Sequence, residues 1–243
     1  MKKFLGLIFL FSFLVATTQV VYANKAPKKV LIFTKTTGFR HDNIEKGVKV
    51  LKEIFTKEGI SSFHTEDADV FRSDSLYQFH AVIFFSTTGT ILNKEQKVSF
   101  EKFIESGKGF MGIHAATDTE YEWPWYHNVI GAYFASHPAV QDAHLQVKDR
   151  KHPATKHLKD IWIHKDEWYD FKDVKPGIHV LMNLDEKTYK DGKMGEFHPI
   201  AWYQEFETFR MFYTGLGHTK ESFDEINFQK QLIGGLKYVM KIK

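Results

Sequence analysis

The sequence predicts an α/β fold: a mostly parallel sheet with helices on both faces and an antiparallel hairpin near the C-terminus. Three observations carry that expectation. Short continuous apolar runs, VLIF at 30–33, HAVIFF at 80–85 and FMGI at 110–113, have the length and unbroken hydrophobicity of strands buried on both sides. Amphipathic stretches opened by capping residues lie between them. The links are short, and strands alternating with helices across short links give a parallel sheet covered on both faces.

The chain opens with MKKFLGLIFLFSFLVATTQVVYA: two lysines, an apolar run from Phe4 to Val15, and small residues before Asn24. That is the pattern of a secretory signal peptide over residues 1–23, with Val21-Tyr22-Ala23 at the cleavage site. The run is shorter than the ~20 apolar residues of a spanning helix, and no cysteine is available for lipidation. The expectation is an exported protein, periplasmic or extracellular, with one domain over 24–243 and no stable membrane insertion once the signal is removed. Without Lys2 and Lys3 the 33 basic residues become 31 against 30 acidic ones, a net charge of +1. No basic run builds the field that nucleic acid requires, so nucleic acid is not an expected partner. The lack of cysteine also excludes thiol chemistry and leaves the core to hold an exported fold without disulfides.

After the first strand and the loop TKTTGFRH, a helix is expected from Asp42, capped by that residue with Glu45 completing a capping box. Ile44, Val48, Leu51 and Phe55 form its apolar stripe. Residues 60–65 read as a weaker strand and 80–85 as a strong one. Asn93 with Gln96 caps a second helix through Ser106, which packs Val98, Phe103 and Ile104, and Gly107 ends it before FMGI. GKGFMG matches a dinucleotide pattern by letters, but its glycines precede the strand and cannot place a phosphate at a helix N-terminus. No P-loop is present either, so no nucleotide cofactor is expected. Residues 120–200 are less regular, rich in His, Trp, Tyr and Asp, and read as an insertion. IHVLMNL (178–184), IAWYQEF (200–206) and RMFYTGL (210–216) read as strands, the last two as a hairpin across Glu207-Thr208. Ser222 and Glu225 box a closing helix that carries Ile226, Gln229, Leu232, Ile233 and Leu236.

A doubly wound sheet binds ligands at the carboxyl ends of its strands. That rule gathers Gly38, Arg40 and His41 after the first strand, with Ser86, Thr87, Thr88 and Gly89 after the third. It adds His114, Thr117 and Asp118 after FMGI, and Gly217 and His218 after RMFYTGL. His137 and the pair Asp166/Glu167 are further candidates, carried by the insertion. One histidine alone reads as a hydrogen-bonded structural residue; three converging at one edge point to a site. The aromatic residues Tyr121, Trp123, Trp125, Tyr126, Trp168 and Tyr169 offer faces on which a sugar ring can lie, against the alternative that they pack the insertion onto the sheet.

The motifs GFRH, GIHAATDT, ASHP, DEWYDF and HPIAWYQEFETFRMFYTGLGH, in that order between Val30 and Met240, resemble the trehalose-utilisation (ThuA-like) family. The resemblance implies a flavodoxin-like, class I glutamine amidotransferase-like fold and a carbohydrate substrate class. In the amidotransferases a cysteine sits on the strand-to-helix elbow; here His114 stands there, and His218 falls where the late histidine belongs. This chain therefore lacks the thioester chemistry of its fold relatives.

His41, His114 and His218, with a carboxylate such as Asp118 or Glu167, make a candidate site for zinc or a similar divalent ion. A metal-free acid/base site and purely structural histidines are the alternatives. The leading expectation is an exported carbohydrate-active protein working on a sugar or keto-sugar by isomerase- or lyase-type proton transfer. Its candidate catalytic residues are His114, His218, Asp118 and Glu167, and its candidate substrate contacts are Arg40, Thr87, Trp125, Tyr126 and Trp168. The strand-end set is richer in histidine than in the opposed carboxylates of a glycosidase. A non-catalytic sugar-binding module of the same fold is the competing expectation.

Overall fold

The computed structural model describes residues 27–72 and 74–242. The signal peptide expected over 1–23 lies outside the described residues. In chain order the elements are β1 (Lys28–Phe33), α1 (Ile44–Lys57), β2 (Ile60–Thr65), β3 (Ala81–Phe85), α2 (Lys94–Glu105), β4 (Gly109–Ile113) and α3 (Pro124–Ile130). They continue with β5 (Tyr133–Ser136), β6 (Gln141–Val147), β7 (Ile161–Asp166), β8 (Asp170–Lys172), β9 (His179–Asp185), β10 (Pro199–Glu205), β11 (Arg210–Thr214) and α4 (Ile226–Val239).

Nine strands form one sheet in the order β2-β1-β3-β4-β11-β10-β9-β6-β7. The first five run parallel, built on the fully buried runs Val30–Phe33, Ala81–Phe85 and Gly109–Ile113. From β10 onward the pairing is antiparallel, beginning with the expected hairpin, in which Glu205 faces Arg210. Helices cover both faces. Added side-chain atoms at Gly109 and Gly235 would strike Val239 and Phe212, so α4 lies close on one face. Gly112 backs onto Ile130 of α3 on the other, where Phe84, Phe100, Phe110 and Tyr126 interlock through ring contacts of 5.1–5.9 Å. Among the described residues no helix is long and apolar enough to cross a membrane.

Several local expectations are corrected. The helix α1 begins after Asn43 and has no side-chain cap. Asp42 pairs with Lys220 at 2.8 Å and Glu45 with Arg40 at 2.8 Å, so both members of the expected box are engaged elsewhere. The Asn93/Gln96 box on α2 is complete, but Val98 is 42% exposed and Phe100 takes the core position beside Phe103 and Ile104. Neither Ser222 nor Glu225 caps α4 by its side chain; the Ser222 hydroxyl donates to Asp166 and Glu225 pairs with His164 at 3.0 Å. Residues 120–200 are not an appendage: β6, β7 and β9 extend the main sheet, and β5 with β8 forms a small second one.

Candidate metal centre at the strand ends

Four segments deliver the site. His41 ends the loop after β1, His114 follows β4 directly, His218 lies in the loop after β11, and Glu167 follows β7. His114 has φ +54°, the left-handed region that a non-glycine residue rarely occupies. Ser86, at the end of the neighbouring β3, makes the same left-handed turn at φ +48°. His41, His114 and Glu167 are buried and His218 is partly so; each offers one ligand atom, and these atoms all lie within 4.8 Å of one another.

The hydrogen bonds set the orientation. The His114 Nδ1 lies 3.0 Å from the Gly215 carbonyl, so Nδ1 carries the proton and Nε2 presents its lone pair to the cluster. That Nε2 is 3.2 Å from His218 Nδ1 and 3.6 Å from Glu167 Oε2. Glu167 Oε2 is 3.1 Å from His218 Nδ1, and its other oxygen is 3.0 Å from His137 Nδ1. The His41 ring stands edge-on to both His114 and His218, at centroid distances of 4.7 and 5.4 Å. Its Nδ1 is buried with no hydrogen-bond partner among the described residues, and its Nε2 lies 3.4 Å from the Tyr169 hydroxyl.

Burial, with the neighbouring His218 and His137 adding repulsion, pulls the His41 imidazole down to about 4. Burial likewise pushes His114 well below its ordinary value, with His41 and His218 reinforcing it. Both rings are therefore neutral near pH 7, the state a metal ligand requires. Burial pulls His218 down too, but the hydrogen bond and charge of Glu167 outweigh it and raise the imidazole above its usual value. Asp118 is raised by burial, which the Tyr121 hydroxyl at 2.6 Å opposes only in part.

His41, Glu167 and His218 floor a cavity of about 390 Å³ whose walls are Phe39, Phe134, Tyr169, Asp118 and His137, and His114 lies fully buried behind them. A larger hollow of about 490 Å³ lies over β6 and β9, lined by Gln146, Lys148, Asn183 and Glu186 among others, and holds none of the converging histidines.

The ThuA family, described as trehalose utilisation, matches residues 29–239. The chain belongs to this family. No curated protein matches it. Among solved structures, a ThuA-like protein from Bacteroides uniformis has a TM-score of 0.74 at 24% identity, over 88% of this chain and 92% of that one. Another, from Parabacteroides merdae, has a TM-score of 0.75 at 22% identity, over 88% and 90%. A glutamine amidotransferase from Thermotoga maritima aligns with a TM-score of 0.50 at 12% identity, over 88% and 98%. At these identities the likeness shows the shared fold.

Within this ThuA domain the expected site residues separate into two groups. His41, His114, His218 and Glu167 converge, and Asp118 stands on the cavity wall. The expected substrate contacts do not line this cavity. Arg40 is held by Glu45 and Glu66 at 2.8 and 2.9 Å, and Thr87 is sealed against Thr119. Tyr126 is fully buried with its hydroxyl on the Ala116 carbonyl, and Trp168 is fully buried with its indole N–H on the Gln141 carbonyl. Trp125 packs on Phe100 and Trp123 and donates to Glu105.

The aromatic walls are Phe39, Phe134 and Tyr169, of which only Tyr169 is among the aromatic residues expected from the sequence. Phe39 sits inside the motif GFRH and is 68% exposed, whereas no sequence pattern distinguishes Phe134. A second group, Asp170, Glu186 and His198, also brings ligand-type atoms together. Its atoms are engaged internally: Asp170 with Ser136 and the Lys193 N–H, Glu186 with the Met194 N–H and His198, and His198 with the Tyr169 carbonyl. This group clamps the segment that carries Glu167 and Tyr169.

Proposed function

We propose that this ThuA-family protein is a divalent-metal-dependent enzyme that moves a proton on a sugar or keto-sugar, in an isomerase- or lyase-type reaction. The observation that carries the reading is the convergence of three imidazoles and one carboxylate, of which His41, His218 and Glu167 line the floor of a cavity. The donor set suits the ion: neutral His41 and His114, an orphaned buried nitrogen on His41, and a carboxylate within reach of His114 and His218. Nitrogen-rich sites with one carboxylate suit zinc and its first-row neighbours. His41, His114, His218 and Glu167 would hold the ion, which supplies Lewis acidity toward a carbonyl or hydroxyl oxygen.

The chain's own groups do the rest. Phe39, Phe134 and Tyr169 present apolar faces to the C–H side of a sugar ring. Asp118, whose carboxyl burial raises above its ordinary value, takes the proton from the carbon beside the carbonyl and returns it to the adjacent carbon or to a leaving group. Tyr121 holds one Asp118 oxygen in place. His137, bonded to Glu167, closes the rim. The family's description as trehalose utilisation supports a carbohydrate as the small-molecule partner, and the leader-like residues 1–23 support a place outside the cytoplasm.

The test is the metal content of the mature protein by elemental mass spectrometry, beside His114→Ala, followed by turnover on a panel of sugars and keto-sugars. Near-stoichiometric divalent metal, lost in the variant, with turnover of a keto-sugar, is the expected result. Protein that stays metal-free after exposure to several ions overturns the metal site, and sugar binding without turnover makes the chain a carbohydrate-binding module.

A further inference from the structure

Asp166 precedes the candidate ligand Glu167 and is fully buried. The sequence offers it only as half of the candidate pair Asp166/Glu167, with no role of its own, yet both of its oxygens are crowded with donors. Oδ1 accepts the backbone N–H groups of Glu167, His218 and Thr219 at 3.0, 3.1 and 3.1 Å. Oδ2 accepts the Gly217 N–H at 2.7 Å and the Ser222 hydroxyl at 3.0 Å, and His164 Nε2 lies 3.3 Å away. Four backbone donors from two segments thus meet on one side chain. One segment begins with Glu167, at the end of the far edge strand β7; the other carries His218, in the loop after β11. Gly217 makes the convergence possible, since its φ of +104° turns three successive N–H groups toward the carboxylate and a β-carbon there would lie 3.0 Å from the Phe228 ring.

From this geometry we infer that Asp166 is the positioning residue of the metal centre: it sets the separation and aim of Glu167 and His218 by holding their backbones, with His164 and Ser222 bracing it from behind. The inference rests on the metal reading above. It differs from a stabilising role because the carboxylate ties the backbones of both ligand-bearing segments at once, the Glu167 N–H on one side and the Gly217, His218 and Thr219 N–H groups on the other. Loosening the carboxylate lets two of the four ligands drift, and a ligand displaced by even half an ångström binds poorly.

The experiment loads wild-type protein, Asp166→Asn, Ser222→Ala and the distant control His152→Ala with cobalt(II). It reads the dissociation constant by chelator competition and the visible spectrum, with thermal unfolding of the metal-free proteins alongside. Asp166→Asn is expected to lose roughly 10–100-fold in affinity, as removal of an outer-shell partner does, with an altered cobalt spectrum. Ser222→Ala is expected to shift both in the same direction but less, and His152→Ala is expected to lose stability with affinity and spectrum unchanged. Asp166→Asn that is destabilised yet binds cobalt as wild type overturns the positioning role while leaving the metal reading intact. Where Asp166→Asn fails to fold, Ser222→Ala decides, and wild-type affinity and spectrum there overturn the inference. Wild-type protein that takes up no cobalt overturns the metal reading and this inference together.

Discussion

The two halves of the sheet contribute to the site in opposite ways. The parallel half, β2-β1-β3-β4-β11, supplies all three histidines from strand ends that point at one edge, and its topology alone brings them together. The antiparallel half, β10-β9-β6-β7, supplies the carboxylate and much of the cavity wall from connections that return over that edge. The first is positioned by backbone direction. The second is positioned by side chains: Asp166 and the Asp170–Glu186–His198 clamp hold Glu167 and Tyr169 from either side. A parallel sheet places ligands automatically at its carboxyl edge, whereas an antiparallel extension must be tied to reach it.

The sharpest test of that contrast truncates one large ring in each half. Trp168→Ala and Phe71→Ala both remove fully buried rings and are expected to cost about 3–5 kcal/mol each in denaturant unfolding. Only Trp168→Ala, beside Glu167, is expected to weaken cobalt binding as well; equal losses of affinity in both variants would erase the distinction.

A second, smaller effect comes from His152, in the connection between β6 and β7. Its Nδ1 accepts the Ala154 N–H, and its ring stacks on Tyr203 at 4.8 Å. Burial holds this imidazole down at about 4, while in the unfolded chain it titrates near 6.5. The unfolded chain therefore binds more protons between those values. The contribution of His152 is complete above about pH 6.5 and is lost as pH falls toward 4, to the extent of about 3 kcal/mol. Urea unfolding across that window should show a steeper decline for wild type than for His152→Gln, and hydrogen exchange should show the 148–158 connection loosening first.

The smallest effect belongs to the parallel half. Asn93→Ala removes the capping box of α2 and should cost about 1 kcal/mol in thermal unfolding, with cobalt affinity untouched.

Legibility in the sequence follows the same division. The parallel strands announce themselves because burial on both faces leaves no room for polar interruption, and the strand-end rule then locates His41, His114 and His218 without any contact information. The boxes at Asp42/Glu45 and Ser222/Glu225 have the right letters but different partners, since an acid or hydroxyl near an Arg, Lys or buried His is drawn into that pairing instead. The aromatic residues mislead for another reason. Trp125, Tyr126 and Trp168 have the same amphipathic character as Tyr169, and only the path of residues 120–200 decides which of these rings face a cavity and which face a core. Glu167 could be named as a candidate but not placed, because its position depends on tertiary ties that leave no periodic trace.

The left-handed turn at His114 makes this position a socket with a restricted alphabet. At φ +54° the backbone accepts His, Asn, Asp or Gly with little strain and resists valine, isoleucine and threonine. Gly112, two residues earlier, already has Ile130, Tyr213 and Ala116 about 3 Å from where its β-carbon would lie, so the approach to the turn is fixed as well. Anyone diversifying this scaffold toward new chemistry therefore inherits a short menu at its most central position. Variety must come from the rim, where Phe39, Phe134 and His137 are free of that constraint.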